Sequence, residues 1–130
     1  MQTIRFWLLV AIMLGCNVAH AQLEILVTRG IDNPTAIAGA PFAWDGLGGA
    51  PEDFAQIIDS DLARSGQFSP VSRRDMLSLP TEKSEIYYRD WRAISARYLV
   101  IGRVSQGVQL RVDYALHDVE RGTELFTGSI

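Results

Sequence analysis

The residues that could do chemistry are thinly spread along this 130-residue chain. His117 is the only histidine beyond residue 21, so a metal site there would need carboxylates for nearly all its ligands. Asp59 and Asp61 are two residues apart in a predicted helix and point in different directions, which excludes a local acid–base pair. No second histidine remains to activate a serine in a triad. The sequence therefore predicts a protein that is not an enzyme and needs no metal or other cofactor.

A glycine-rich loop, Trp44 to Gly49, precedes the strongest helix pattern and raises the possibility of phosphate binding. No Lys-Ser or Lys-Thr pair follows the glycines, and Glu52 and Asp53 would repel a phosphate. We favour a connecting loop, with a small-ligand site at this loop as the alternative.

The element that must organise the fold is an amphipathic helix within residues 50–68. Pro51 suits the first helical position, and Gly66 suits the left-handed conformation that ends a helix. One apolar stripe, which needs a core to pack against, is formed by Phe54, Ile57, Ile58 and Leu62.

Strand patterns surround that helix and define the fold class. Strands are predicted at residues 22–28, 35–42, 67–71, 97–105, 108–116 and 123–130, and a second helix opens at Asp90. The alternation after residue 108 places Tyr114 on a buried face and His117 on a wet face. The prediction is an α/β fold in which a mixed β-sheet carries two helices packed on one side.

Residues 1–21 have the pattern of an export signal. Arg5 precedes an apolar run from Phe6 to Gly15, and Ala19 and Ala21 are small residues at the positions that a signal peptidase reads. The run is shorter than a membrane span requires, so we expect cleavage after Ala21 and no stable membrane span.

Cys16 allows a second form of the mature amino terminus. The sequence Met13-Leu14-Gly15-Cys16 is similar to a degenerate lipobox, in which the cysteine carries a lipid and becomes the first residue. A lipid-anchored envelope domain is therefore the alternative to a free one.

The first mature residues, 22–28, are apolar and alternate as a strand does. Leu23, Ile25 and Val27 share one side of the predicted strand, and Glu24 lies on the other. Such a segment is either the first strand of the domain or an arm that adds itself to the sheet of another protein.

The overall charge argues against nucleic acid as a partner. The formal net charge of −3 becomes −4 once Arg5 leaves with the signal, whereas a nucleic-acid surface requires a basic face.

An ordered series of motifs resembles the amino-terminal domain of the TolB family, which belongs to the Tol-Pal system of envelope integrity and cell division. No single motif is specific, but their order over the mature chain is. The motifs are Pro41-Phe42-x-Trp44, Gly49-Ala50-Pro51-Glu52-Asp53, Ile57-Ile58-x-x-Asp61-Leu62-x-x-Ser65-Gly66-x-Phe68-x-Pro70, Trp91, Leu99-Val100-Ile101-Gly102-x-Val104 and Tyr114-x-Leu116-x-Asp118.

The resemblance implies a non-enzymatic periplasmic scaffold with an α/β amino-terminal domain and a C-terminal β-propeller that binds the lipoprotein Pal. It also implies that the segment following signal cleavage binds the C-terminal domain of the inner-membrane protein TolA by strand addition, or folds back on its own protein. On this chain the implied partner-binding residues are Gln22, Leu23, Glu24, Ile25, Leu26 and Val27.

Two departures from the family pattern follow from this resemblance. Family members carry a basic residue where this chain has Glu24, which points to a different charge pattern in the partner. We also expect a truncated protein without the propeller, and therefore without Pal binding. Its parts would be a signal peptide at residues 1–21, an arm at 22–33 and an α/β domain at 34–130.

Overall fold

The computed structural model describes residues 33–130. Its strands are β1 (Thr35–Gly39), β2 (Ala43–Asp45), β3 (Phe68–Pro70), β4 (Tyr98–Gln106), β5 (Leu110–Asp118) and β6 (Thr123–Ser129); its α-helices are α1 (Phe54–Arg64) and α2 (Tyr88–Ala93); two 3₁₀ turns span Arg73–Asp75 and Lys83–Glu85.

The six strands form one mixed sheet in the order β3-β1-β4-β5-β6, with β2 also paired to β4. β1 is parallel to both β3 and β4, whereas β4, β5 and β6 form an antiparallel meander. β1 and β2 share β4 as partner: β1 pairs with residues 98–100 and β2 with residues 103–105. Pro41, which has no backbone N–H to donate, lies between these two short strands. The predicted strand at 35–42 therefore ends early, at Gly39, and the first two residues of the predicted loop, Trp44 and Asp45, belong to β2.

Helix α1 begins at Phe54, three residues after Pro51, which the sequence predicted as its first residue. Asp53 is the N-cap, and its Oδ1 accepts a hydrogen bond from the Gln56 N–H at 3.1 Å. Gly66 adopts a φ of 72°, which confirms the predicted left-handed stop after Arg64.

The two helices lie on opposite faces of the sheet, which corrects the expectation that both pack on one side. Successive side chains of a strand point to opposite faces. Val100 lines the space beside α1, whereas Leu99 and Ile101 pack in the same buried cluster as Trp91 of α2. The predicted α/β class, with a mixed sheet and two helices, is confirmed.

His117 is wholly buried, so the prediction of a wet face at this position was wrong. The alternation of β5 is as predicted, but α2 and the turn before it cover the face that carries His117 and Ala115. Leu116, on the predicted dry face, is only half-buried. The main core therefore lies under α2, among Trp91, Leu99 and their neighbours.

Candidate functional site

The predicted partner-binding residues, 22–27, lie outside the described residues. The described chain enters the sheet at β1, an inner strand, where the Thr35 N–H donates to the Gln67 carbonyl at 2.9 Å. Thr35 is therefore the point at which the described chain joins the sheet.

Residues 33–130 supply a complete buried cluster under α2. Trp91 is 1% exposed, and Leu99 and Val119 are fully buried beside it. Both neighbours of β4 in the sheet are also present, as β1 and β5. The described residues therefore include both a six-stranded sheet and a buried core cluster.

The opposite face of the sheet carries an apolar cleft of about 630 Å³ between α1 and the meander. Helix α1 packs on β1 and β3, at one end of the sheet, and leaves much of the meander uncovered in the described part of the chain. Phe126 and Ile130 consequently remain 52% and 81% exposed. The lining residues are Ile37, Phe54, Ile57, Ile58, Leu62, Phe68, Tyr98, Val100, Val112, Tyr114, Leu116, Leu125, Phe126 and Ile130.

The wall of this cleft farthest from α1 is the edge strand β6. Among residues 33–130, β6 pairs only with β5, and its sequence contains neither lysine nor proline to protect the edge. Gly128 allows the Tyr114 ring to lie directly across β6, because a Cβ at residue 128 would overlap that ring. Tyr114 also packs edge-to-face on Phe126.

The amino terminus of α1 is occupied by the chain's own groups, which argues against the phosphate alternative. Asp53 caps the helix and also accepts two hydrogen bonds from the Arg73 guanidinium, at 2.7 and 3.1 Å. The hydrogen bond from Arg73 lowers the pKa of Asp53, although partial burial opposes this. A carboxylate therefore already sits where a bound anion would.

The glycine-rich loop folds around Trp44. The Trp44 Nε1–H donates to the Gly48 carbonyl at 3.0 Å, and a Cβ on Gly46 would overlap the indole ring. Gln106 accepts a hydrogen bond from the Leu47 N–H at 3.0 Å, which ties the loop to the end of β4. This geometry fits the preferred interpretation of a connecting loop.

Asp59 is a partly buried carboxylate on α1 whose Oδ1 is buried and finds no hydrogen-bond partner in the described part of the chain. It packs on Gly39, where a Cβ would lie 2.5 Å from Oδ1. Burial raises the pKa of Asp59 to about 6, with Asp53 adding to the rise and Arg73 opposing it.

His117 is a fully buried titratable group on the other face of the sheet. The Tyr88 hydroxyl lies 2.9 Å from Nδ1, and Glu124 Oε2 lies 3.9 Å from Nε2. Burial lowers the pKa of His117, with Lys83 acting in the same direction and Glu124 in the opposite one.

Neither buried group belongs to a cluster of ligands. Over residues 33–130, no group of three or more histidine, cysteine or carboxylate side chains is placed to hold a metal ion. Within the same range, none of the helices has the length and apolar character needed to cross a membrane.

Sequence reasoning missed the two buried titratable groups and the extent of the cleft. The stripe on α1 and the alternation of β5 identified most of the apolar wall, including Tyr114. The exposure of Leu125 and Phe126 depends on where α1 lies over the sheet, and no local pattern encodes that position.

Comparison with known families places most of the described region in one group. The TolB amino-terminal domain family model matches residues 23–125. The chain is 43% identical over 125 residues to the Tol-Pal system protein TolB of Pseudomonas fluorescens (strain Pf-5), covering 95% of this chain and 29% of that protein. It is 44% identical over 103 residues to TolB of Marinomonas sp. (strain MWYL1), covering 78% of this chain and 24% of that protein. The chain therefore spans less than a third of these relatives.

Solved structures agree with this grouping. TolB from Acinetobacter baumannii superposes with a TM-score of 0.62 at 28% identity, over 79% of this chain and 24% of that one. The LpoB C-terminal domain from Salmonella enterica gives the same TM-score at 17% identity, over 78% and 84% of the two chains, and so shares the fold alone. Because the family model covers most of the chain and the sequence relatives agree, this protein belongs to the TolB family of the Tol-Pal system and corresponds to its amino-terminal domain.

Proposed function

We propose that this protein is a non-enzymatic interaction module of the Tol-Pal system in the periplasm. In this role, residues 22–27 form an arm that adds a strand to the C-terminal domain of TolA after the signal at residues 1–21 is removed. The observation that supports the proposal is that residues 33–130 contain a six-stranded sheet and a buried core cluster, with the arm ahead of β1 in the chain. The arm's apolar side chains are then available to a partner.

Strand addition suits both the chemistry of the arm and its attachment. Main-chain hydrogen bonds to an exposed sheet edge supply affinity, and alternate side chains supply specificity. Leu23, Ile25 and Val27 would pack on one face of the partner's sheet, leaving Glu24 on the other. A cation in the partner opposite Glu24 would complement its charge.

The family match supports including the arm in the functional unit. It begins at residue 23, so Leu23 to Val27 lie within the matched region. Mass spectrometry of the purified protein distinguishes a free amino terminus at Gln22 from a lipidated Cys16. The arm is retained in both forms, and only the first gives a chain without an anchor.

Binding of Pal is assigned to a different part of the relatives. The resemblance connects Pal with a C-terminal propeller, and the chain spans 29% of the first relative. The domain alone should therefore bind TolA and leave Pal unbound.

The test is calorimetric titration of the purified chain with the TolA C-terminal domain, comparing three variants. Deletion of residues 22–27 should abolish binding, and Ile25→Pro should weaken it strongly because proline cannot donate to the ladder. Ile25→Val, which keeps the shape and the backbone N–H, serves as the matched control and should bind as the parent does. Unchanged binding by the deletion variant would overturn the proposal.

The same variants need a stability measurement to interpret the binding result. If residues 22–27 form an arm, the deletion should leave the urea midpoint nearly unchanged, because the core cluster of the described residues is retained. A loss of several kcal/mol would make residues 22–27 a strand of the domain itself rather than an arm.

A further inference from the structure

The buried histidine of β5 is held at one ring nitrogen and left open at the other. His117 is fully buried, with the Tyr88 hydroxyl 2.9 Å from Nδ1. Nε2 is buried and has no hydrogen-bond partner among the described residues. A buried polar atom without a partner is costly, so this site is poised for a change in hydrogen bonding.

The nearest acidic group to the open nitrogen is on the neighbouring strand. Glu124 Oε2 lies 3.9 Å from Nε2, beyond hydrogen-bond distance but within reach of a small side-chain movement. The Glu124 side chain is 33% exposed, so it has room to move. Protonation of the ring would make both nitrogens donors and turn this gap into a charge-assisted contact.

A β-bulge lies at the same place and connects the pair to the opposite face. Leu116 pairs with Phe126 and His117 pairs with Glu124, which leaves Leu125 as an extra residue in β6. Bulges commonly redirect side chains at sheet edges. Leu125 and Phe126 line the apolar cleft on the far face. A movement of Glu124 is thus transmitted through two adjacent residues to the wall of the cleft.

The charged and titratable groups around the ring come from each element packed on it. α2 contributes Tyr88, the 3₁₀ turn before it contributes Lys83, and β6 contributes Glu124. Glu124 favours the protonated ring, whereas Lys83 and burial oppose it. On β4, the residue paired with His117 is Leu99, which carries no charge.

We propose that His117 and Glu124 form a proton-operated latch. Protonation of His117 closes the pair, fixes the bulge in β6, and so reshapes the Leu125–Phe126 wall of the apolar cleft. Because burial lowers the pKa of His117, the latch is open at neutral pH and closes below the ordinary imidazole range of about 6.5. The domain would then present a different apolar surface in an acidified compartment.

The test follows the imidazole and backbone amide signals of the isotopically labelled chain by NMR between pH 4.5 and 8. Asp59 also titrates near pH 6, so the experiment uses the Asp59→Asn background throughout. The amide shifts of Leu125 and Phe126 should titrate with the same midpoint as His117, below 6.5.

Two substitutions of exposed or partly exposed partners separate the latch from general pH effects. Glu124→Gln should lower the His117 midpoint and abolish the response of the Leu125 amide. Lys83→Gln should raise the midpoint and keep that response. The proposal is overturned if the amide shifts of Leu125 and Phe126 titrate in the Glu124→Gln variant as strongly as they do without that substitution. It is also overturned if His117 titrates while their amides stay unchanged, or if His117 stays unprotonated throughout the pH range.

Discussion

Replacing Asp59 with asparagine should stabilise the protein at neutral pH. The carboxyl of Asp59 is partly buried against Gly39, and its Oδ1 has no hydrogen-bond partner among residues 33–130. At pH 7 this group must be ionised in a site that disfavours the charge, because burial raises its pKa to about 6. An amide of the same shape removes that cost.

The magnitude follows from the difference between the folded and unfolded pKa values. The interval from 3.8 to about 6 corresponds to about 3 kcal/mol when converted at full strength. Solvent reaches part of the site and the attraction of Arg73 is lost, so we expect a net gain of about 1 kcal/mol.

The sign of the pH dependence provides an independent check. Because the folded pKa lies above the unfolded one, the folded protein binds more protons between pH 3.8 and about 6. The contribution of Asp59 to the free energy of unfolding therefore decreases as pH rises through this window. The advantage of the asparagine variant should be largest at pH 7 and shrink to about half at pH 5.

The assay is urea unfolding of the parent and the variant at pH 5 and pH 7. Effects that both proteins share, such as the titration of His117, cancel when their free energies of unfolding are subtracted at each pH. Asp61→Asn is the matched control on the same helix, where the side chain is 64% exposed, and it should change stability by less than about 0.5 kcal/mol. An asparagine variant that is less stable than the parent at pH 7, or a difference that ignores pH, would refute the reasoning.

Three further substitutions test the fold. Asp53→Ala should cost about 1 kcal/mol through loss of the helix cap, whereas Glu52→Ala, at the exposed neighbour, should have little effect in the same urea titration. Trp91→Ala should cost about 3 to 5 kcal/mol because the side chain is 1% exposed in the core, and Leu47→Ala, at a residue 90% exposed, should leave the melting temperature unchanged. Gly102→Ala should cost about 1 to 3 kcal/mol by calorimetry, because its Cβ would overlap an aromatic ring packed over β4; wild-type stability in that variant would contradict the packing.

The elements with strong local patterns could be predicted from the sequence. The helix stripe, the Gly66 stop and the apolar run of β4 all depend on neighbours along the chain, and the structure confirms them. The helix start was misplaced because Pro51 and Asp53 are both good signals for it. The structure selects Asp53, whose side chain forms the capping hydrogen bond.

Features that depend on the arrangement of distant elements could not be predicted in this way. Each helix shows one apolar face, but neither face indicates which side of the sheet receives it. Trp91 packs on the side of the sheet that carries Leu99. His117 lies on the same side and is therefore buried, although the alternation along β5 suggested exposure. The same placement leaves Leu116 only half-covered on the other side.

The arm remains a prediction from sequence pattern and family resemblance. Residues 22–27 alternate as a strand, and a strand pattern alone does not distinguish an inner strand from an arm that binds a partner. Residues 22–27 lie outside the described residues, so the choice between the two rests on the measurements proposed above.

Amide hydrogen exchange of residues 22–27, measured with and without the TolA C-terminal domain, tests the central claim most directly. The account predicts rapid exchange in the free chain and strong protection in the complex, while Leu99 in β4 is protected in both. Protection of residues 22–27 in the free chain to the level of Leu99 would contradict it.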